Sequence, residues 1–320
     1  MMDLSIIIVN WNSKEYLRKC IASILAMTHG IEYEIVVIDN ASFDGCDEIL
    51  RQYYPQVQFI QSDQNLGFAR ANNLAFEASS GRNILFINPD TEIKSSAIEI
   101  LHKELTSLPY AGIVGAKLVS DDGSVLVNCI QVFPTILNQM LNIDLLRNCK
   151  PLSRLWGMRS LLYGSKIPKE VDVVSGACLM IKRSLFEKVG MFSDDYFMYS
   201  EDVDLCYKIK KSGSKVYYVP NAVVVHYGGA SSSQSNVSNF SNVMLLESRW
   251  RYFRKTRSLS YCLLYRSMMF CVSVIRICLM LFVSLTQCKR KKPSSIDTVL
   301  MKWKGRLSWT LGGEKWVKKY

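Results

Sequence analysis

The sequence predicts an α/β protein with a mixed, mainly parallel sheet flanked by helices, followed by a basic helical segment. Three observations carry this prediction. Short apolar runs alternate with amphipathic stretches over the first 90 residues, which is the pattern of strand–helix–strand units. Polar clusters follow these runs at Asn10, Asp39 and Asn88, where open sheets of this class bind ligands. Beyond residue 248 the charge becomes strongly positive.

The first half of the chain has the most regular pattern. Four apolar runs rich in isoleucine and valine predict buried strands at residues 4–9, 35–38, 57–61 and 84–87. Runs without polar alternation are typical of strands that helices cover on both faces. Apolar residues at helical spacing predict a helix after Ser13 and two more at residues 44–54 and 68–79, the last ended by Gly81.

The pattern is less regular from residue 112 onward. Strands are predicted at residues 112–119, 171–181, 216–219 and 222–225, and helices at residues 184–189, 201–211 and 242–256. Residues 133–164 show no clear period, and we expect them to cover the functional site. Residues 231–241 are rich in serine and asparagine and predict a loop.

The charge is unevenly divided along the chain. The whole chain carries +11, yet beyond residue 248 there are 17 lysines and arginines against only Asp297 and Glu314. That segment therefore carries +15, and the preceding body carries −4. A basic segment on a mildly acidic body predicts an anionic partner, which is either a membrane surface or a nucleic acid.

An apolar stretch at residues 267–285 favours the membrane, and we expect no nucleic-acid partner. The stretch is barely long enough to span a bilayer, and Arg276 at its centre would cost about 2.5–3.5 kcal/mol there. We therefore expect residues 258–292 to lie on an anionic membrane, with the basic cluster 289–292 at the headgroups. A helical hairpin packed on the body and a spanning helix remain open alternatives.

The cysteines and the N-terminus predict a cytoplasmic body. The ten cysteines form no Cys-x-x-Cys pair, so they favour reduced thiols over a zinc or redox site. Asp3 and the polar Asn10 and Asn12 do not fit a secretory signal.

Two of the strand-end clusters are candidate ligand sites. Asn88-Pro89-Asp90 could place a carboxylate on a divalent cation, although an acidic residue after a strand is also a common helix cap. Asp39-Asn40 could hydrogen-bond a nucleobase or a ribose, and the same region could equally cap the next helix.

A polar turn and a histidine are weaker candidates. Asn65-x-Gly67, with Arg70 following, offers backbone N–H groups and a cation to an anionic ligand. It could also be an ordinary glycine turn. His226 ends a predicted strand, where a histidine is more often a structural hydrogen-bonding group than a ligand.

Three carboxylates within four residues, Glu201, Asp202 and Asp204, open a predicted helix. The helix dipole favours acidic residues at that position. Three together repel one another, however, so one of them can be poised as a general base.

Taken together, these motifs resemble the inverting glycosyltransferases of family 2, and more narrowly their rhamnosyltransferase-like branch. The resemblance rests on Asn10-Trp-Asn12, Asp39-Asn40-Ala-Ser, Asn65-x-Gly67-Phe-Ala-x-Ala-Asn-Asn, Asn88-Pro-Asp90, Ser-Gly176-Ala and Phe-Met-Tyr-x-Glu201-Asp202-Val-Asp204-Leu. It covers about residues 3–230 and is more specific for fold and reaction than for the sugar.

The resemblance implies a GT-A fold, a nucleotide-diphosphate sugar donor and a divalent cation, Mg²⁺ or Mn²⁺. It implies that Asp202 is the catalytic base with Glu201 beside it, and that Asp39 contacts the nucleotide base. Asn88 stands where many relatives have aspartate, which leaves the metal to Asp90 with His226 as a second ligand. The implied donor-binding set is Asn10, Asn12, Asp39, Asn40, Asn65, Gly67, Arg70, Asn88 and Gly176.

The resemblance also suggests a division of the chain. Residues 1–115 would form the half that binds the nucleotide sugar, residues 116–241 the acceptor-binding and catalytic half, and residues 242–320 the membrane-associating tail. The expected acceptor is a lipid-linked saccharide at the cytoplasmic face of the cell membrane, because the basic tail points there.

Two other functions fit parts of the pattern. A sugar-phosphate nucleotidyltransferase also places acidic residues after parallel strands, but it usually has a glycine-rich basic loop where this chain has Asn10-Trp11-Asn12-Ser13. A non-catalytic membrane or nucleotide-binding adaptor would retain the fold without turnover. A dehydrogenase is disfavoured because no Gly-x-Gly-x-x-Gly follows any predicted strand.

Overall fold

The computed structural model describes residues 2–141, 166–228, 237–286 and 293–319, and the chain divides into two compact units. The sheet unit comprises Met1–Phe133, Arg147–Phe197 and Glu201–Ser231, and the helical unit comprises Pro134–Leu146, Met198–Ser200 and Ser232–Tyr320. Most of residues 133–164 and all of the basic cluster 289–292 lie outside the described residues.

The strands all belong to the sheet unit. In chain order they are β1 Leu4–Asn10, β2 Tyr33–Asn40, β3 Gln58–Ser62, β4 Asn83–Ile87, β5 Thr91–Ile93, β6 Ala111–Val119, β7 Ile130–Gln131, β8 Lys169–Glu170, β9 Val173–Val174, β10 Cys178–Lys182 and β11 Lys215–His226.

The helices occur in both units. In chain order they are α1 Lys14–Met27, α2 Cys46–Tyr53, α3 Gly67–Glu77, α4 Ala97–Ser107, α5 Ile136–Met140, α6 Arg183–Lys188, α7 Glu201–Lys211, α8 Val237–Thr256, α9 Leu259–Thr286 and α10 Pro293–Thr310. A 3₁₀ helix follows at Lys315–Lys319.

Nine of the described strands build one large sheet in the order β3-β2-β1-β4-β10-β6-β11-β5, with β8 on β11, and β7 pairs with β9 in a second sheet. The β3, β2, β1 and β4 strands pair in parallel. Strand β10 is antiparallel to both β4 and β6, and β11 is parallel to β6. The predicted mixed, mainly parallel sheet flanked by helices is confirmed. Its parallel part brings the carboxyl ends of β1, β2 and β4 to one edge.

The core of the sheet unit combines buried strands with a cluster of aromatic rings. Ile6, Ile7 and Ile8 of β1 have no exposed surface. On β4, the Phe86 ring lies 4.9 Å from the ring of Phe192. Each such side chain contributes about 1.5–3 kcal/mol by leaving water. This packing fixes the strands whose ends carry the polar clusters.

Strand β11 is continuous where two separate strands were predicted, at residues 216–219 and 222–225. Its pairing with β6 shifts register between Val219 and Val223, around Pro220, which has no N–H to give to the ladder. The predicted gap between two strands is therefore a register shift within one strand, which continues to His226.

The predicted strand at residues 171–181 is wrong, because it is two strands in different sheets. Strand β9 pairs with β7 in a small separate sheet, whereas β10 enters the main sheet between β4 and β6. Val173, Val174 and Cys178 are all buried, so hydrophobicity alone does not mark the turn at Ser175-Gly176.

Two helical features differ from the prediction. Helix α4 was not predicted, although Ala97, Ile98, Leu101 and Leu105 are buried at helical spacing. Helix α8 begins at Val237, so the predicted loop at residues 231–241 is wrong from that residue onward. Residues 229–236 lie outside the described part of the chain.

The helical unit packs around aromatic side chains. The ring of Phe253 on α8 lies 5.3 Å and 4.9 Å from those of Tyr261 and Tyr265 on α9. Arg266 of α9 donates to the main-chain oxygens of Thr310 and Trp309 at 2.8 Å and 2.9 Å. A cation at the C-terminal end of α10 offsets the helix dipole there and satisfies free carbonyl groups.

Helix α9 is apolar and mostly exposed. In the described part of the chain, one segment, Leu259–Ser284, is long and apolar enough to cross a membrane, with a mean hydropathy of 2.1 and 11% of its window buried. Phe282 and Ile275 are 65% and 57% exposed. Such a surface differs from that of a soluble core helix, whose apolar face is covered.

Candidate active site

The ends of β1 and β2 are joined by a hydrogen-bond network around the Asp39 carboxylate, in which Asn10 Oδ1 is buried without a partner among the described residues. Asn10 and Asp39 are register partners, and Asn10 Nδ2 donates to Asp39 Oδ1 at 2.8 Å. The Ser42 hydroxyl also donates to Oδ1. On the other oxygen, Oδ2 accepts from Phe43 N–H at 2.9 Å and from Gln61 Nε2 at 2.9 Å. Burial would raise the pKa of Asp39, but these hydrogen bonds outweigh it and hold the pKa below its ordinary value.

A second carboxylate, Asp44, closes the same region. Its Oδ2 accepts from the backbone N–H groups of Ser13 and Lys14, both at 3.0 Å, at the start of α1. Asn10 Nδ2 lies 3.2 Å from both of its oxygens. Asp44 thus caps α1 from a distant position in the sequence, which the helix dipole favours.

Asp39, Asp44 and Cys46 bring potential metal-ligand atoms within 4.8 Å of one another. Their oxygens, however, already accept hydrogen bonds from the N–H and O–H donors of the surrounding turn. Burial also raises the pKa of the Cys46 thiol, which disfavours the thiolate that a metal would bind. The role that the structure shows for this cluster is to hold the loop between β2 and α2.

Asn40 and Asn65 fix the turn that begins α3. Asn40 Oδ1 accepts from Leu66 N–H at 2.8 Å, and its Nδ2 donates to Asn65 Oδ1 at 3.0 Å. Asn65 Oδ1 also accepts from Gly67 N–H at 2.9 Å. The predicted turn is therefore attached to the end of β2, beside Asp39.

Gly67 is required by both its conformation and its surroundings. Its φ is +76°, and a Cβ atom built on it would lie 2.3 Å from the carbonyl oxygen of Phe197. The N–H of Phe68 donates to that same oxygen at 2.7 Å. Only glycine allows this approach, which brings the segment before α7 against the start of α3.

Asn12 and Arg70 lie in less enclosed positions. Asn12 is exposed with a φ of +51°, a conformation in which asparagine is enriched. Arg70 is exposed and its Nε donates to the Asp194 carbonyl at 3.0 Å. Asn73 on the next turn of α3 binds the same loop, through Asp194 Oδ1 at 3.0 Å. The roles of Asn12 and Arg70 in binding the sugar donor remain predictions.

The end of β4 places Asp90 beside His226. Asn88 N–H donates to the Ala177 carbonyl at 3.0 Å, and Thr91 Oγ1 donates to the Asn88 carbonyl at 2.7 Å. Strands β5 and β11 align Thr91 with His226, and His226 Nε2 lies 3.2 Å from Asp90 Oδ1. Both side chains are mostly buried, so the two predicted metal ligands do meet.

The Asp90–His226 pair fits a divalent cation by donor type and spacing. Two ligands at right angles on an octahedral ion of this size lie about 3 Å apart, close to the observed separation. The imidazole nitrogen favours a first-row transition ion over Mg²⁺, which prefers oxygen. His226 Nδ1 is buried and, among the described residues, has no hydrogen-bond partner. The spacing also suits a direct hydrogen bond, so their role as ligands remains a prediction.

Asp202 lies at the first turn of α7 and contacts the turn that precedes β10. Its Oδ2 accepts from Gly176 N–H at 3.1 Å, and its Oδ1 accepts from Val203 N–H at 2.8 Å. A Cβ atom on Gly176 would lie 3.5 Å from Asp202 Cβ and 3.6 Å from a ring carbon of Phe68. The predicted base, the glycine turn and the start of α3 therefore converge.

The three carboxylates of α7 have different environments. Asp204 is 2% exposed and accepts from Ser193 Oγ at 2.6 Å and Tyr196 OH at 3.4 Å. It therefore ties the loop before α7 to the helix. Glu201 is also buried, whereas Asp202 is half-buried. Among the three, Asp202 combines a fixed carboxylate with access.

Some residues of this edge were not singled out by the sequence analysis. Gln61 donates to Asp39, and the Phe68 ring lies 3.6 Å from the position that a Cβ atom on Gly176 would take. Gln61 ends the predicted third strand, and its alignment with Asp39 across β2 and β3 is the signal that could have identified it. Phe68 was read only as part of a turn motif.

Two solved structures with bound nucleotide ligands and Mn²⁺ align with this chain. The mannosyltransferase PcManGT from Pyrobaculum calidifontis, in complex with GDP-Man and Mn²⁺, aligns over 98% of this chain and 90% of that chain with a TM-score of 0.60 at 15% identity. GalNAc-T7 with UDP, GalNAc and Mn²⁺ aligns over 82% of this chain and 53% of that chain, with a TM-score of 0.56 at 16% identity. These likenesses establish a GT-A fold, as predicted.

The chain belongs to glycosyl transferase family 2, whose profile matches residues 5–190. A second profile, glycosyl transferase family group 2, matches residues 106–311. The predicted family is therefore confirmed, and the protein is a glycosyltransferase.

Curated relatives include rhamnosyltransferases. The N-acetylglucosaminyl-diphospho-decaprenol L-rhamnosyltransferase of Mycobacterium tuberculosis is 28% identical over 251 residues, which are 74% of this chain and 80% of that protein. Rhamnosyltransferase WbbL of Escherichia coli K12 is 28% identical over 271 residues, which are 80% of this chain and 94% of that protein. The rhamnosyltransferase-like resemblance is confirmed, and sugar transfer in polysaccharide synthesis is supported.

Proposed function

We propose that this protein is an inverting transferase that moves a rhamnose-type sugar from a nucleotide-diphosphate donor to a lipid-linked saccharide in cell-surface polysaccharide assembly. The observation that carries the proposal is the turn at Ser175–Ala177. On one side its Gly176 N–H binds Asp202, and on the other its Ala177 carbonyl binds the Asn88 N–H. One short turn therefore connects the proposed base with the strand end of the proposed donor site, which supports the proposal.

Asp202 is the proposed general base. The acceptor hydroxyl must lose its proton as its oxygen attacks the anomeric carbon, and an ionised carboxylate can take that proton. The position of Asp202 at the N-terminus of α7 favours ionisation. As the new C–O bond forms, the bond to the diphosphate oxygen breaks, and this single displacement inverts the configuration.

The nucleotide is proposed to bind along the ends of β1 and β2. Asp39 is held rigid by its donors, and Asn10 Oδ1 beside it is a buried acceptor with no hydrogen-bond partner among the described residues, so this edge can offer an acceptor to a base. Arg70 would lie beside the diphosphate as a cation. The Asn65–Gly67 turn would shape this part of the site, because the N–H groups of Leu66, Gly67 and Phe68 already donate within the protein.

Asp90 and His226 are proposed to hold a divalent cation of the Mn²⁺ type. When bound, such an ion neutralises charge on the departing diphosphate. The Mn²⁺ in both solved relatives of this fold supports the proposal.

The acceptor is proposed to reside in the membrane, at its cytoplasmic face. The name of the mycobacterial relative includes a diphospho-decaprenol acceptor, and the exposed apolar helix α9 supports contact with lipid. We expect the protein to sediment with vesicles that contain anionic lipid. High salt should weaken this binding without abolishing it, because apolar burial is not screened.

A donor panel tests the proposed reaction. Purified protein, Mn²⁺ and a synthetic lipid-linked saccharide are incubated with dTDP-rhamnose, UDP-glucose, UDP-N-acetylglucosamine and GDP-mannose, and nucleotide release is measured with and without acceptor. We expect acceptor-dependent release with the rhamnose donor and an inverted anomeric proton by NMR. A retained configuration, or preference for another sugar, would contradict the corresponding part of the proposal.

A further inference from the structure

Two arginines of the helical unit surround one tryptophan ring. The guanidinium carbon of Arg276 on α9 lies 5.6 Å from the centre of the Trp303 ring on α10, and that of Arg306 lies 4.7 Å from it. The aromatic face stabilises each cation. Both positive charges are thereby held together, although like charges repel.

Neither arginine has an acidic partner among the described residues. Arg306 donates to Asn242 Oδ1 at the long distance of 3.4 Å, and its Nε is buried with no hydrogen-bond partner in the described chain. Burial lowers the pKa of the Arg306 guanidinium. Buried charges are normally paired, so this arrangement lacks an anion.

Guanidinium N–H donors that lack an acceptor are what an oxyanion requires. The buried Nε–H of Arg306 is such a donor among the described residues.

Two other charged groups of the helical unit have partners within the protein. The oxygens of Glu247 accept from Arg251 Nε at 3.3 Å and from Trp309 Nε1 at 2.9 Å. Arg266 has its acceptors at the end of α10. Neither group therefore neutralises the charges of Arg276 and Arg306.

The surroundings of Arg276 indicate where the anion comes from. On α9, Ile275, Leu279 and Phe282 are 57%, 49% and 65% exposed. Apolar side chains next to a cation match a molecule that carries a phosphate on an acyl chain, rather than a free ion. We propose that Arg276 and Arg306 form a site for the phosphate group of a membrane lipid.

This site deepens the proposed membrane association and rests on it, but it is independent of sugar transfer. An arginine binds phosphate through two parallel N–H···O bonds, and Trp303 keeps both guanidinium groups in place. Binding a lipid phosphate together with Arg306 would give Arg276 a function at the middle of an apolar helix, where a charged side chain otherwise costs free energy.

Calorimetry with full-length protein tests the site with three probes. Dihexanoylphosphatidic acid carries both the acyl chains and the phosphate, dihexanoylglycerol carries only the chains, and inorganic phosphate carries only the anion. We expect the phosphatidic acid to bind more tightly than either of the others. Equal affinity for inorganic phosphate would overturn the lipid assignment.

Variants then test the residues. Arg276→Gln and Arg306→Gln should each weaken phosphatidic acid binding about fivefold, as about 1 kcal/mol per charge implies. Arg254→Gln removes an exposed charge from the same unit and is the matched control, with no change expected. An equal loss in the control would show that only overall charge matters and would overturn the site.

Discussion

The sheet unit and the helical unit treat their charged groups in opposite ways. At the ends of β1 and β2 in the sheet unit, Asp39 and Asp44 accept hydrogen bonds from side chains and backbone groups of their own unit. In the helical unit, Arg276 and Arg306 lie against an aromatic ring with no acidic partner among the described residues. Charges that are satisfied internally build shape, whereas charges left over indicate an external partner.

The same distinction separates two carboxylates of one helix. The buried Asp204 carboxylate accepts hydrogen bonds from the hydroxyl groups of Ser193 and Tyr196. Asp202, in contrast, accepts from backbone N–H groups and is partly exposed. The comparison therefore indicates a structural role for Asp204 and supports the proposed role of Asp202 as the base. Four experiments test this distinction.

The largest effect is expected from Asp202→Asn. The change keeps the size of the side chain and one of its two hydrogen bonds from backbone N–H groups but removes the base, so kcat should fall by about 10²- to 10⁴-fold while donor binding survives. Nucleotide release and calorimetric donor titration measure the two quantities. Asp47→Asn, on the exposed side of α2, is the matched control. More than half of the wild-type kcat in Asp202→Asn would refute the assignment.

Asp90→Ala should raise the Mn²⁺ concentration needed for half-maximal activity by on the order of 10- to 100-fold, by analogy with the loss of residues that support a metal. The reason is that Asp90 supplies the carboxylate of the pair with His226. Mn²⁺ binding, followed by paramagnetic resonance without donor, gives a second readout. Full activity in chelator, with metal-free protein verified by elemental analysis, would exclude both the ion and Asp90.

Gly67→Ala should destabilise the sheet unit by about 1–3 kcal/mol, because it adds a clash with the Phe197 carbonyl to a left-handed backbone. Urea unfolding measures the loss. Gly30→Ala is an informative control, since Gly30 has a φ of +70° but no atom within 4 Å of an added Cβ. Equal losses in both variants would show that the contact with Phe197 contributes nothing.

Asp39→Asn should change the pH dependence of stability. The pKa of Asp39 is lowered from 3.8 in the folded state, so its contribution is fully present above that pH and is lost as the pH falls through the folded value. The variant should therefore be less stable than the wild type at pH 6, and the gap should narrow as the pH falls below about 4. A gap that is constant across this range would show that the ionised form has no special role.

The sequence predicted the fold where its pattern was local. Buried parallel strands such as β1 and β2 are continuous apolar runs, and this local hydrophobic pattern identifies them. The turn that separates β9 from β10 could not be predicted in this way, because the residues on both sides of it are buried in different sheets. The continuity of β11 across Pro220 likewise depends on pairing with β6.

The candidate site was predictable in part for the same reason. Strand-end residues such as Asp39, Asp90 and His226 could be named, because parallel strands bring their carboxyl ends together. The contribution of Asp44 to capping α1, and that of Asp204 to the loop before α7, depend on partners that only the tertiary structure supplies. The arginine pair around Trp303 depends likewise on the packing of α9 and α10.

The position of β10 has a consequence for how the chain is made. Strand β10 lies between β4 and β6 in the sheet but follows β4 after 90 intervening residues. Ribosomes add about 5–20 residues per second, so β4 waits roughly 5 to 20 seconds for its neighbour. During that interval β4 and β6 both present an unpaired edge, which is a template for association with other chains. A nascent chain halted before Cys178 should therefore aggregate more readily than one halted after Lys182.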